Sequence, residues 1–248
     1  MMNVEFRFAD RVLLLTGANG GIGREVARLF DAAGASMVLA DRDQAALEAF
    51  AETLSGPGRK IVRTLDAASA TSNMDLVEAT VQAFGGIDFV VPAAGIYLSR
   101  AFDRMTEDEW RQTLAINLDG VFHLLSKVVP HLRAGSAIVT LTSIAAHRGA
   151  YSNAHYAASK GALSALTRSL ARELAPRTRI NAVAPGVIET PMTTDLIAAR
   201  GDATIAQTPL GRLGTPREIA GVIAFLCSDA AGFITGETVH ANGGLHMA

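Results

Sequence analysis

Short apolar runs alternate with longer stretches in which apolar residues recur every three or four positions, and the alternation continues from Val12 onward without a shift in composition. Strands are predicted over Val12–Thr16, Ser36–Asp41, Lys60–Asp66, Ile87–Val91, Ala137–Ser143, Arg179–Ala184 and Thr238–Ala241, most of them near-continuously apolar, as strands buried on both faces should be. The intervening periodicity predicts helices over Gly21–Ala33, Gln44–Thr53, Ser69–Phe84, Thr106–Leu132, Asn153–Ala175 and Pro216–Ser228. Thr215, Pro216 and Glu218 open the last of these as a capping threonine, a proline at the first helical position and the glutamate of a capping box. Pro92 removes a ladder donor, so the fourth strand is expected to end at or just before it. Strand and helix in turn, joined by right-handed crossovers, predict an α/β fold: a doubly wound, seven-stranded parallel sheet with helices on both faces. Ligands of such a sheet bind beyond the carboxyl ends of the strands.

Composition narrows the class. Of 248 residues, 49% are hydrophobic and 19% charged, enough to bury one sizeable core, so residues 1–248 are expected to form a single domain. A net charge of -2 with both signs interspersed provides neither a basic stripe for nucleic acid nor a cationic helix for a membrane surface, which leaves a small molecule as the expected partner. One cysteine, Cys227, excludes an internal disulfide and is expected to be a small buried apolar group. The amino-terminal MMNVEFRFAD lacks the apolar core of a signal peptide, and a cytoplasmic location is expected.

The first strand runs into Gly17, Ala18, Asn19, Gly20, Gly21, Ile22 and Gly23 and then directly into a helix, the context of a Rossmann dinucleotide-binding turn. Gly17 permits the turn, Gly21 lets the backbone approach a pyrophosphate, and Gly23 allows close helix packing, while the helix amino terminus offers free N–H donors. Asp41 ends the second strand, where a carboxylate hydrogen-bonds the adenosine ribose and repels a 2′-phosphate. NAD is therefore the expected cofactor and NADP the lesser alternative, with Arg42 the residue that could turn toward a phosphate. The cofactor-binding half is placed at about residues 10–95 and the catalytic half at about 96–248.

Tyr156 and Lys160 stand one helical turn apart on one face of a helix. A phenol with a reference pKa of about 10 is a poor base near neutrality, and an adjacent ammonium is expected to lower it. Ser143, at the end of the fifth strand, can hold a substrate oxygen; Thr142 is its rival, turned to the other face by strand alternation.

The glycine-rich turn, Asp41, Asn117, Ser143, Tyr156 with Lys160, and Pro185-Gly186 followed by Thr190 occur in the order of the short-chain dehydrogenase/reductase family, and the resemblance spans almost the whole chain. It implies an oxidoreductase that moves a hydride between a nicotinamide and a hydroxyl/carbonyl pair. Under it Tyr156 is the general acid/base, Ser143 orients the carbonyl, Lys160 binds the nicotinamide ribose, and Asn117 holds a proton-relay water. It also implies that the Val187-Ile188 backbone and Thr190 meet the carboxamide, and that Asp66 and Ala67 lie beside the adenine. Gly211 to Gly214, Ile234 to Thr238 and Asn242 to Gly244 are most similar to bacterial 3-oxoacyl-acyl-carrier-protein reductases, which normally use NADPH; that activity is the alternative reading. A non-catalytic dinucleotide sensor is the competing class, and all four site residues argue against it.

One departure is Pro92-Ala93-Ala94-Gly95, where the family usually carries Asn-Asn-Ala-Gly; Ala93, Ala94 and Gly95 are still expected against the cofactor. Ile96, His147, Tyr151 and Met192 are candidates for the substrate pocket, within a segment after Ser143 and a Thr190–Thr208 loop. His155 is expected to face outward or a subunit contact, and His123, His131, His147, His155, His240 and His246 show no ligand spacing, so no metal site is expected. The family usually forms tetramers, and Val121, Leu125, Leu163, Leu166 and Leu170 are expected to supply apolar surface for a homotetramer.

Overall fold

The computed structural model describes residues 5–247; part of the amino-terminal segment read above lies outside them. Seven parallel strands lie in the order β3-β2-β1-β4-β5-β6-β7. They are β1 (Val12–Thr16), β2 (Ser36–Asp41), β3 (Lys60–Thr64), β4 (Ile87–Pro92), β5 (Leu132–Leu141), β6 (Thr178–Pro185) and β7 (Thr238–Ala241). The order reverses between β1 and β4, which opens a crevice at the carboxyl ends of both strands.

Helices α1 (Gly21–Ala32), α2 (Gln44–Ala51), α3 (Ala70–Phe84), α4 (Glu107–Leu114), α5 (Gly120–Val128), α6 (Ala145–Arg148), α7 (Ala154–Leu174), α8 (Thr194–Gln207) and α9 (Pro216–Cys227) cover the two faces. Strand alternation divides the core: Leu13 and Leu15 point to α1 and α9, against Val26, Phe30 and Ile223, whereas Leu14 points to α3, α5 and α7, against Leu76, Leu124 and Leu163. Asp43 caps α2 by accepting from the Ala46 N–H, and Thr215 with Glu218 closes the expected capping box on α9. At the amino ends of the strands, buried Asp88 accepts from Arg11 (2.9 Å), Arg133 (2.6 Å) and the Val12 N–H (2.9 Å), fastening β1, β4 and β5 opposite the crevice.

The fourth strand ends at Pro92 as expected; Pro92 pairs with Thr16, and the Ala93 N–H takes up the Thr16 carbonyl at 3.1 Å. Four expectations are corrected. The helix over Thr106–Leu132 is broken by a π-helical turn at Ala115–Asp119 and ends by Val128, because Leu132 already pairs with Ile87 as the start of β5. Ser143 lies two residues beyond its strand, in the loop entering α6, where its carbonyl accepts from the Ala146 N–H. The Thr190–Thr208 segment is largely helix α8. Of the apolar residues expected to supply an interface, Val121, Leu125 and Leu163 are buried inside the chain, whereas Leu166 and Leu170 are half-buried at the edge of the same cluster.

Candidate active site

The crevice is one continuous cleft with two arms. The deeper arm is lined by Gly21, Ile22, Gly23, Ser143, Tyr156, Lys160, Pro185, Gly186, Ile188 and Thr190, and the outer arm by Asp41, Arg42, Asp66, Ala67 and Ala94. Gly17, Asn19, Gly20, Ala93, Gly95, Ile96 and Met192 line both. Val187 faces a neighbouring cavity beside Leu210 and Leu213 instead.

The glycine turn is shaped for backbone contact. Gly17 has φ of 66°, and a Cβ there would come within 2.5 Å of the Ala94 nitrogen. A Cβ on Gly23 would come within 2.2 Å of the Gly17 carbonyl, and one on Gly21 within 2.7 Å of Thr190. Ala94, next to the position of a lost asparagine at Ala93, places its N–H 3.4 Å from the Thr16 hydroxyl, so backbone holds the segment where an amide side chain is missing. Asp41 accepts from the Asn19 N–H (2.9 Å) through one oxygen and from the Arg42 N–H (2.7 Å) through the other. The carboxylate thus fixes the turn while presenting its remaining lone pairs to the outer arm.

At the deep end, Ser143 and Lys160 are buried and Tyr156 is partly exposed. The Thr142 hydroxyl donates to the Val183 carbonyl at 2.9 Å, which removes it as a rival. The Ser143 oxygen instead accepts from the Ala145 N–H at 3.1 Å, leaving its own proton to donate into the cleft. Lys160 donates to the Leu141 carbonyl at 2.8 Å, with its ammonium 5.7 Å from the Tyr156 ring centre. Burial pushes the Tyr156 phenol up to about 12 against the lowering effect of the Ser143 hydrogen bond, and burial brings Lys160 down to about 8. The expected lowering of the phenol is therefore corrected: within the protein alone, desolvation and then the neighbouring Tyr97 raise it, and only the Ser143 hydrogen bond opposes them.

Asn117 is wholly buried in the π-turn. Its amide accepts from the Ile96 N–H (2.8 Å) and donates to the Ile96 carbonyl (3.0 Å) and to Ser159 (3.4 Å). It holds the cleft wall in register beside Gly95 and close to Lys160. Of the pocket candidates, Ile96 and Met192 line the cleft, whereas Tyr151 is exposed under the Arg200 guanidinium and His147 lies against His240 and His246. His155 is completely buried, contrary to expectation, because α4 covers that face of α7; neither ring nitrogen has a partner among the described residues. Cys227 is buried as expected, and burial pushes its thiol up to about 12, which keeps it unreactive. The sequence reading missed Tyr97, whose ring stands edge-on to Tyr156 at 4.8 Å; the only signal was an aromatic following Gly95-Ile96. With the Asn153 amide turned to accept, the Tyr97 hydroxyl is bonded to it at 2.6 Å, which holds the Tyr97 ring against Tyr156.

Residues 17–246 match the family model described as enoyl-(acyl carrier protein) reductase. The 3-oxoacyl-[acyl-carrier-protein] reductase of Thermotoga maritima is 37% identical over 96% of this chain and 99% of its own, and that of Escherichia coli is 38% identical over 97% and 99%. A crystal structure titled short-chain dehydrogenase/reductase, glucose/ribitol dehydrogenase, from Brucella melitensis is 56% identical, covers 99% of this chain and 100% of its own, and superposes with a TM-score of 0.97. This chain belongs to the short-chain dehydrogenase/reductase family. Members of this family are oxidoreductases acting on CH–OH and carbonyl groups with NAD(P), and this chain is one of them. The side-chain-free cradle at Gly17, Gly21 and Gly23 fits the dinucleotide that such a reductase requires. No described helix is long and apolar enough to cross a membrane.

Proposed function

We propose that this short-chain dehydrogenase/reductase works with NAD(H) rather than NADP(H), interconverting a small or medium-sized alcohol and its ketone through Ser143, Tyr156, Lys160 and Asn117. The cofactor choice rests on the Asp41 carboxylate in the outer arm, both of whose oxygens accept backbone N–H groups. A 2′-phosphate about 4 Å from that charge would be repelled by up to about 4 kcal/mol at an effective dielectric of 20, less after solvent screening. NADH should therefore exceed NADPH in kcat/KM by at least about tenfold, equivalent to about 1.4 kcal/mol, and Asp41→Ser should narrow the gap by raising activity with NADPH. A wild-type preference for NADPH would overturn the assignment and shift the weight to Arg42.

In the reducing direction, the Ser143 hydroxyl donates to the substrate carbonyl oxygen and holds it within reach of Tyr156. A bound reduced nicotinamide supplies the hydride. Tyr156 gives its proton to the developing alkoxide, and its high pKa keeps it protonated for that role at neutral pH. Lys160, anchored on the Leu141 carbonyl, would hold the cofactor ribose and offset charge on the phenol oxygen. Asn117 keeps Ile96 and the neighbouring wall in place.

A 3-oxoacyl-acyl-carrier-protein reductase is the second reading, favoured by full-length similarity at 37% and 38% identity to relatives of that name. Turnover of a 3-oxoacyl thioester well above simple ketones would select it. The family resemblance also supports a homotetramer and a cytoplasmic location, and Phe122, 58% exposed on α5, is available to an interface. Light scattering at micromolar protein should give four chains; a monomeric mass counts against the assembly.

A further inference from the structure

We propose that His147, His240 and His246 form a binding site for one divalent transition-metal ion of the Zn²⁺ type, separate from the catalytic cleft. His147 comes from α6, His240 from β7 and His246 from the segment that follows β7, so only the fold brings them together. One ring nitrogen from each lies within 4.8 Å of the other two. The ring centres are 4.5, 4.9 and 5.4 Å apart. Three imidazoles on a tetrahedral ion at about 2.0–2.1 Å have ring centres about 5 Å from one another, which the observed ring spacing matches, and bringing the nitrogens to about 3.3 Å from one another takes small side-chain rotations.

A second observation points to an ion. The Nδ1 atom of His240 is buried without a hydrogen-bond partner among the described residues, a cost that coordination would remove. The backbone that carries His246 is also fastened in place. Asn242 donates to the His246 carbonyl (3.0 Å) and accepts from the Gly244 N–H (3.0 Å), while Arg148, beside His147, donates to the Leu245 carbonyl at 2.7 Å. His147 is exposed, giving an entry path and room for water as the fourth ligand. Three neutral nitrogens without a carboxylate suit zinc and its neighbours, whereas Mg²⁺ and Ca²⁺ need oxygen. None of the three histidines lines the cleft. The ion would clasp the turn that follows Ser143 to the last strand, which makes its expected role structural.

The test uses full-length, untagged protein stripped with EDTA. Calorimetric titration with ZnCl₂ should give one ion per chain with micromolar or tighter affinity, a raised Tm, and no comparable response to MgCl₂. Co²⁺ should produce the visible absorption of a four-coordinate nitrogen-rich site. His246→Ala should weaken Zn²⁺ binding at least about tenfold, the loss of one of three ligands, while NADH still binds. Should that variant fold poorly, His240→Gln, judged by its circular dichroism, carries the same expectation. Absence of saturable Zn²⁺ binding in the wild type overturns the proposal, and so does unchanged affinity in a folded variant.

Discussion

Tyr156→Phe is expected to lower kcat by about 10²–10⁴ while NADH binds nearly as before, because the exchange removes the proton and leaves the ring against Tyr97. Lys160→Ala should behave differently. It removes the ammonium beside Tyr156 and leaves the buried Leu141 carbonyl without its donor, so dinucleotide affinity and turnover should fall together. Direction matters as well. A phenol pushed up to about 12 by burial is protonated throughout the neutral range, which favours reduction. Oxidation requires the phenolate, so its rate should climb with pH while reduction is flat through neutrality. Stopped-flow turnover on a substrate with rate-limiting hydride transfer, together with fluorescence titration of NADH, separates these effects. Wild-type kcat in Tyr156→Phe would mean that another group supplies the proton.

Gly17→Ala is expected to cost about 2–5 kcal/mol and to abolish productive dinucleotide binding. Two effects combine at this position. A side chain at φ of 66° is in the left-handed region, worth about 1–2 kcal/mol. Its Cβ would also be driven against the Ala93 carbonyl at 2.6 Å and the Ala94 nitrogen at 2.5 Å, and both neighbours are backbone that cannot rotate away, adding about 1–3 kcal/mol of overpacking. Gly85 separates the terms, since it has φ of 73° at the end of α3 but nothing within 4 Å of its Cβ position. Gly85→Ala should therefore cost only the conformational part. Urea midpoints of the two variants decide between them, and equal losses would show that the close approach of the Pro92–Gly95 segment to the turn contributes nothing.

The positions of the strands and most helices were legible because their signals are local. Val12 to Thr16 is apolar on both faces, Thr215 with Glu218 caps its own helix, and Pro92 ends its own strand. The glycine turn and the Tyr156–Lys160 pair were equally readable, since each function depends on residues only a few positions apart.

Interactions between distant segments were not legible. The amphipathic period through Ala115–Asp119 looks helical, but the bonds of Asn117 to Ile96 and Ser159 join three segments, and the helix opens to a π-turn where they meet. His155 points away from Tyr156 as helix geometry requires, yet whether that direction is solvent or protein depended on where α4 packs. The sequence marked Tyr156 and Lys160 as a pair, while the burial that shifts both pKa values exists only in the folded cleft. The same holds for His147, His240 and His246. Their spacing along the chain carries no ligand pattern, and the sheet alone brings β7 and the segment after it beside α6. Propensity, capping and turn chemistry act over a few residues and are written in order, whereas desolvation and side-chain proximity depend on packing that no short window of sequence contains.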